Sequence, residues 1–439
     1  MISVTHIVED FQQITTEKRI DSLQHGSKPI PFLPVLANLN VEILCPEVSI
    51  EGCAMTGIRA AVLTGPGTYE VQEFPIPTLE DGALLMEIEM SGICGTDKHT
   101  YLGETKQYAG TPAETDTPFP IIQGHENVGI VSEITPKAAE SLEFYGKPLK
   151  VGDRITMCPD IVCGECYECK HVMGYVWCQN SDCYGNSYTS ATAPHLMGGW
   201  AEQMYIRPDT FVYKVPSGLS PRVAVLAELM ACTASLDKLK EFSSYAIEGF
   251  NSGDTVVVIG SGPLGLLHIA KADMMGAGQI IATDLSEHRL GFAKRCGADV
   301  TLNVSQTSPE ERIQQILDLT NGRGADVVLH MANTPASFVE GIEMLKRGGM
   351  MLEMGNFADT GEVSMNIHRH ICSKNIRLIG LTNHPSTGYG PALDLLERYA
   401  DRYPFEDFVS HEYALTDVDD AMRMSMDPQS LKVVMNPRL

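Results

Sequence analysis

The chain has 439 residues, too many for one ordinary hydrophobic core, so two domains with additional segments are predicted. Its 44% hydrophobic and 20% charged residues are those of a globular protein, and a formal net charge of −24 argues against nucleic acid or anionic membrane as a partner. No run of ~18 apolar residues exists, and Glu9 and Asp10 stand where a signal peptide needs an apolar segment. A cytoplasmic location is therefore predicted, and the twelve cysteines read as metal ligands or free thiols rather than disulfides.

Residues 1–57 carry Pro29, Pro31, Pro34 and Pro46 with weak periodicity. They form an N-terminal extension of unassigned role, compatible with an arm, an oligomer contact or a tail. From Ile58 the texture changes. IRAAVL (58–63) and ALLMEIEMSGIC (83–94) read as strands separated by the turn Gly65-Pro66-Gly67, and short strands between Gly and Pro turns continue to about Val215. This texture predicts a β-barrel-like first domain. A helical stretch over Ser220–Leu239 leads to the second half.

The second half is organised by residues 255–284, TVVVIGSGPLGLLHIAKADMMGAGQIIATD. Thr255 to Ile259 form an unbroken apolar run, as in a strand buried on both faces. Gly260, Gly262 and Gly265 follow at G-x-G-x-x-G spacing, and Leu266, Ile269, Ala270 and Met274 recur at helical spacing. The first glycine makes a tight turn, the second admits a pyrophosphate, and the third lets helix and strand pack closely. The helix start offers free N–H groups to the anion. Gly260, Gly262, Pro263, Leu264 and Gly265 are thus the residues expected at the cofactor phosphates. Asp284, at the end of the next short strand, is placed to meet the ribose hydroxyls of NAD and to repel the 2′-phosphate of NADP. Leu285 brings no compensating charge, and Arg289 is placed near the adenosine edge. Helices at 287–296, 309–320 and 336–346 alternate with strands at 300–303, 326–330, 350–354 and 376–381, which predicts a six-stranded doubly wound parallel sheet. A helix at 392–401 and a strand at 431–435 end the chain and are read as a return to the first domain.

Two sets of metal ligands stand in the first half. Cys163, Cys166 and Cys169 form C-x-x-C-x-x-C, and Cys178 follows within the same short stretch. Four thiolates close a tetrahedral zinc site and leave no place for substrate, so this site is structural. Cys158 and Cys183 lie near enough in sequence to replace Cys178 as the fourth ligand. The second set is dispersed over GICGTDKH (92–99), GHE (124–126) and AELMAC (227–232). Cys94, His125 and Glu126 offer ligands for one zinc, with Glu228 as a fourth candidate, and a catalytic zinc needs three such ligands and an open position.

With these residues in view, the chain from about Ile58 to Leu439 resembles the zinc-dependent medium-chain alcohol and polyol dehydrogenases, in the sorbitol and threonine dehydrogenase-like branch. The resemblance rests on GICGTDKH, GHENVG, KVGDRI (150–155), the cysteine cluster, GGWAEQMYI (198–206), AELMAC and VIGSGPLG with Asp284. It implies an α/β protein with a GroES-like β-barrel-type catalytic domain and a Rossmann domain, the active site lying between them. The boundaries it suggests are 58–230 for the catalytic domain, 231–382 for the NAD-binding domain and 383–439 for the return. By the resemblance, Cys94 and His125 are catalytic-zinc ligands, Glu126 is the adjacent glutamate, and Glu228 binds zinc directly or through its water. Thr96 matches the hydroxyl that receives the substrate proton, and His99 the histidine ending the relay. Two zinc ions per chain, NAD, a small alcohol or ketone substrate and a homodimer or homotetramer are implied. The sequence departs from the usual pattern in one extra residue before Cys178, insertions at 103–120 and 136–148, and HMAN (330–333) at a strand end.

The predicted function is hydride transfer between a polar secondary alcohol and NAD, giving the ketone. Two other readings compete with it. A zinc-free reductase of activated double bonds on the same fold would not need Cys94, His125 and Glu126, and a non-catalytic nucleotide-binding protein would not need Thr96 and His99.

Overall fold

The computed structural model describes residues 57–107, 109–111, 114–172, 177–241 and 249–439. The N-terminal extension, apart from Gly57, and Tyr108 in the first insertion lie outside the described residues.

The first half is built on antiparallel strands. β1 (Ile58–Gly65) turns back into β2 (Thr68–Phe74), and Ala60 to Leu63 lie fully inside. β3 (Leu84–Gly92) is the hub of a second sheet. It is followed by the short helix α1 (Gly95–Tyr101) and by β4 (Glu126–Ile134), β5 (Arg154–Met157), β6 (Gln203–Ile206) and β7 (Val212–Lys214). β3 is buried along nearly its whole length, only Glu87 being part-exposed, although Glu87, Glu89 and Ser91 alternate with apolar residues along it. Glu89, inside, is met by Arg154 at 2.6 Å, which explains the arginine of KVGDRI.

The stretch expected as one helix over 220–239 is three short ones: α2 (Pro221–Ala224), α3 (Ala227–Cys232) and α4 (Ser235–Glu241). Thr233 interrupts the run, its hydroxyl donating to the Met230 carbonyl. The helix before this break, α3, carries Glu228.

The dinucleotide half follows as β8 (Thr255–Ile259), α5 (Pro263–Met274), β9 (Gln279–Asp284), α6 (Glu287–Arg295), β10 (Val300–Asn303), α7 (Pro309–Leu319), β11 (Ala325–His330), α8 (Pro335–Met344), β12 (Leu345–Glu353) and β13 (Arg377–Gly380). The six strands are all parallel, in the order β10-β9-β8-β11-β12-β13. This is the doubly wound sheet expected from the alternation of apolar strands and helices. Register aligns Ile259 with Thr283 and with His330, and His330 with Glu353, so Gly260, Asp284 and the 330–333 segment share one edge.

The tail holds more than the sequence pattern suggested. Besides α9 (Tyr389–Arg398) it contains β14 (Val409–Tyr413), α10 (Val418–Met426) and β15 (Lys432–Met435). β15 lies between β14 and β3 in the first-half sheet, with Val434 opposite Gly92. This pairing sets Lys432 next to Glu126.

Candidate active site

The glycine turn after β8 has the shape a pyrophosphate needs. Gly260 sits at φ 94°, a left-handed conformation that suits glycine. A Cβ on Gly265 would fall 1.9 Å from the Gly260 carbonyl, so only glycine lets α5 approach β8 this closely. A Cβ on Gly262 would meet nothing within 4 Å, which leaves open space at the helix start. Gly262 is the N-cap, Pro263 opens the helix, and no side chain caps its free N–H groups. Asp284 braces the turn: its two carboxylate oxygens accept the N–H groups of Ser261 and Ser286, each at 2.8 Å. Each oxygen keeps a further lone pair for a ribose hydroxyl. These features fit a dinucleotide.

Arg289 has another employment besides the one expected. Its guanidinium donates to the Ser430 carbonyl at 3.1 Å and the Asp427 carbonyl at 3.3 Å, tying α6 to the tail. His330 of HMAN is fully buried, with Nδ1 2.6 Å from Glu353 Oε2 and Nε2 2.7 Å from Ser337 Oγ. It links β11, β12 and α8 and faces the core.

Cys94 is the N-cap of α1, and the local sequence makes it so. Its N–H donates to Asp97 Oδ2 at 2.8 Å, closing the cap from the third helical position. Asp97 is fully buried, and its other oxygen lies 3.8 Å from His125 Nδ1. Neither of these two atoms has a hydrogen-bond partner among the described residues. His125 comes from the turn entering β4 and Glu126 from its first position. Ligand atoms of Cys94, His125 and Glu126 all lie within 4.8 Å of one another. Soft, borderline and hard donors with an orphaned aspartate oxygen behind the imidazole fit a zinc ion, whose histidine ligands commonly lean on a carboxylate.

Glu126 is shared. Lys432 Nζ donates to its two oxygens at 2.7 and 2.6 Å and to the Ile93 carbonyl at 3.1 Å, entirely inside the protein. Burial pushes the Glu126 carboxyl up, against the pull of Lys432. Gly92 makes the room: a Cβ there would stand 1.9 Å from Glu126 Oε2.

Glu228 does not complete that group. Its carboxylate clusters instead with Cys232 and His384, with His384 Nε2 at 3.1 Å and the Cys232 thiol donating at 3.5 Å. Burial pushes Glu228 up, yet His384, His125 and Lys432 hold its carboxyl down to about 2. It therefore stays anionic beside the metal-ligand group.

Thr96 and His99 are three residues apart on α1 and so share a face. Thr96 Oγ1 lies 4.0 Å from Cys94 Sγ. His99 Nδ1 is met by the carboxylate of Glu104, a residue of the first insertion. That insertion forms a hairpin in which Lys106–Gln107 pairs with Thr115–Asp116. Phe357, from the dinucleotide half, stands edge-on to His99 at 5.2 Å and fills the space over Gly95. A cavity of about 260 Å³ lies beside Phe357, lined among others by Trp177, Asn356, Leu381 and Thr382.

In the cysteine lobe, Cys163, Cys166, Cys169 and Cys178 come together. The Cys163–Cys169 and Cys166–Cys178 sulfur separations are 3.9 and 4.0 Å. Tetrahedral zinc with bonds of about 2.3 Å puts sulfurs about 3.8 Å apart, so the cluster fits the ion. Backbone N–H groups of Glu165 and Cys166 pull the Cys163 thiol down to about 6, toward the thiolate a metal binds. Cys183 is engaged elsewhere, with Tyr184 and Asn186, and Cys158 also lies outside the cluster. Replacing Cys166 with Ser is expected to lower the melting temperature by more than about 5 °C while NADH affinity, read by fluorescence titration, changes little.

Sequence reasoning missed Asp97, Lys432 and His384. Asp97 sits inside GTDKH, where its spacing to Cys94 is a capping signal. Lys432 and His384 carry no local signal.

A parallel-sheet dinucleotide half joined to an antiparallel half with two zinc-type ligand clusters defines a zinc-dependent nucleotide-linked dehydrogenase. The family model described as alcohol dehydrogenase GroES-like domain matches residues 80–217, and that described as zinc-binding dehydrogenase matches residues 263–398. The chain belongs to the zinc-dependent medium-chain alcohol/polyol dehydrogenase family. It is 30% identical over 385 residues to erythritol/L-threitol dehydrogenase of Mycolicibacterium smegmatis, covering 87% of this chain and 98% of the relative. It is also 30% identical over 385 residues to sorbitol dehydrogenase of Halalkalibacterium halodurans, covering 87% and 99%. The crystal structure of an alcohol dehydrogenase from Thermotoga maritima superposes with a TM-score of 0.77 at 31% identity, over 86% of this chain and 99% of that one. The protein is thus an oxidoreductase that interconverts an alcohol and its ketone with NAD and uses zinc. No helix among the described residues is long and apolar enough to cross a membrane.

Proposed function

We propose that the protein oxidises a secondary alcohol carrying a neighbouring polar group, with Cys94, His125 and Glu126 holding the catalytic zinc. The observation that carries this reading is the convergence of these three ligand atoms within 4.8 Å beside Thr96. Glu228, held by His384, acts on the site through water rather than as a direct ligand. A zinc ion so held supplies Lewis acidity toward the substrate oxygen. Gly260, Gly262, Pro263, Leu264 and Gly265 would hold the phosphates of NAD and Asp284 its ribose, and the cofactor when bound would supply the hydride acceptor.

The chain's own residues do the rest. Thr96 takes the proton of the substrate hydroxyl and passes it toward His99. Glu104 accepts from His99 Nδ1–H, which leaves Nε2 free to receive the proton. Phe357 packs edge-on against the His99 ring and fixes its orientation. Asp97 orients His125 from behind. Cys163, Cys166, Cys169 and Cys178 hold the structural zinc. Residues 58–230 with 383–439 serve as the catalytic domain and 231–382 as the cofactor domain, in a cytoplasmic homodimer or homotetramer.

Support for a polar substrate comes from two sides. The relatives named above act on erythritol, threitol and sorbitol, and Asn356 and Thr382 place polar groups in the cavity beside Phe357. Steady-state kinetics test it. Across a panel with NAD, kcat/KM for vicinal diols, polyols or amino alcohols is expected to exceed that for ethanol and long primary alcohols. Higher values for simple primary alcohols than for every polar secondary one would end the substrate reading. Faster turnover with NADP at low concentration would end the role given to Asp284.

A further inference from the structure

A further group of buried metal-type ligands shares His384, the partner of Glu228, and adds Cys158 and Asp160, which have no part in the chemistry above. Cys158 follows β5, Asp160 opens the short strand Asp160–Ile161, and His384 sits on the turn entering α9. Cys158 is fully buried, His384 is 1% exposed and Asp160 9%. Their ligand atoms all lie within 4.8 Å of one another. Tetrahedral zinc with bonds of about 2.0–2.3 Å spaces its ligands about 3.3–3.8 Å apart, so inward shifts of an ångström or less would close the set.

Two buried side chains here lack hydrogen-bond partners. His384 Nε2 lies 3.1 Å from Glu228 Oε1, yet neither of its ring nitrogens has a hydrogen-bond partner among the described residues, which leaves Nδ1, the nitrogen turned away from that ion pair, for another ligand. Tyr389, fully buried, meets the His384 ring edge-on at 5.2 Å, and its hydroxyl is also without a partner. A buried imidazole nitrogen left unmet costs free energy unless something occupies the space. The surrounding backbone is held independently: Asn383 Nδ2 donates to Asp160 Oδ2 at 2.6 Å, and the Cys158 N–H donates to the Phe211 carbonyl at 2.9 Å. Thiolate, carboxylate and imidazole together suit a zinc-like divalent ion far better than calcium or magnesium, which prefer all-oxygen sites.

We propose that Cys158, Asp160 and His384 Nδ1 form a third zinc site, distinct from the cysteine lobe and from the Cys94–His125–Glu126 group. Its fourth position is open to a water within the space bordered by Tyr389. The ion has two consequences. It pins the turn entering α9 to the strand that precedes the cysteine lobe. With Nδ1 on the metal, the His384 proton must reside on Nε2, where it donates to Glu228 and fixes that carboxylate beside the active site.

The test uses the full-length protein purified with no zinc added afterwards. Anomalous diffraction at the zinc edge is expected to give a peak bonded to Cys158, Asp160 and His384, in addition to peaks at the other two clusters. Zinc content by elemental analysis is expected to fall by one ion per chain in Cys158→Ala relative to the unaltered protein. Anomalous peaks at the other two clusters with none here would overturn the proposal, as would unchanged zinc content in the variant. The diffraction measurement needs no variant, so a misfolded Cys158→Ala would not decide the outcome.

Discussion

Replacing Lys432 with Met is expected to destabilise the protein by about 3–5 kcal/mol, the usual cost of leaving one partner of a buried ion pair uncompensated. Lys432 is 2% exposed and Glu126 fully buried, and the ammonium touches both carboxylate oxygens. Water cannot reach in to replace it. In protein not loaded at the Cys94–His125–Glu126 site, where no ion shares the charge, the carboxyl must then either stay charged in an apolar setting or take a proton, and both cost stability. Denaturant unfolding of metal-free samples of the unaltered protein, the single variant and the double variant Lys432→Met/Glu126→Gln checks this. The double variant is expected to recover most of the loss, because the neutral amide removes the unpaired charge. Equal stability of Lys432→Met and the unaltered protein would mean the pair carries no such weight.

Thr96→Ala is expected to lower kcat by about 10²–10⁴-fold, the range associated with a lost proton-transfer group. Thr96 Oγ1 is 4.0 Å from Cys94 Sγ and shares a helix face with His99, which puts its hydroxyl beside the metal-ligand group. Thr96→Ser keeps the hydroxyl and is expected to retain activity within about tenfold, whereas a purely structural role would make Ser and Ala differ in stability instead. NADH affinity should be unchanged in both. Near-normal kcat in Thr96→Ala would remove this residue from the relay.

The features legible in the sequence are those whose parts are close together along it. The glycine turn, its flanking strands and Asp284 occupy one βαβ unit, so a local pattern carries a three-dimensional meaning. The cysteine lobe is similar, since its four thiols lie on one short excursion between β5 and β6. Groups that meet only after folding left no trace. Glu126 and Lys432 are 306 positions apart, and β15 joins them by pairing with β3. His384 sits on a turn with no pattern to mark it. Glu228 stands out in the sequence by its position in AELMAC, whereas its ion pair with His384, 156 positions away, exists only in the folded chain. In the tail, β14 reads VSHEY, too polar to announce itself as a strand. α10 buries Val418, Ala421, Met422 and Ser425 at helical spacing, a periodicity the sequence itself carries.

The account turns on zinc held by Cys94, His125 and Glu126, and a paired measurement of metal and turnover on Cys94→Ala tests it most directly. Lewis-acid assistance is worth several kcal/mol of transition-state stabilisation, so turnover is expected to fall by about 10³-fold or more. Elemental analysis of the same sample should show one zinc fewer per chain than the unaltered protein, with the cysteine lobe still loaded and NADH still bound. A folded Cys94→Ala protein that keeps its full zinc content and turns over alcohol at the normal rate would contradict the account.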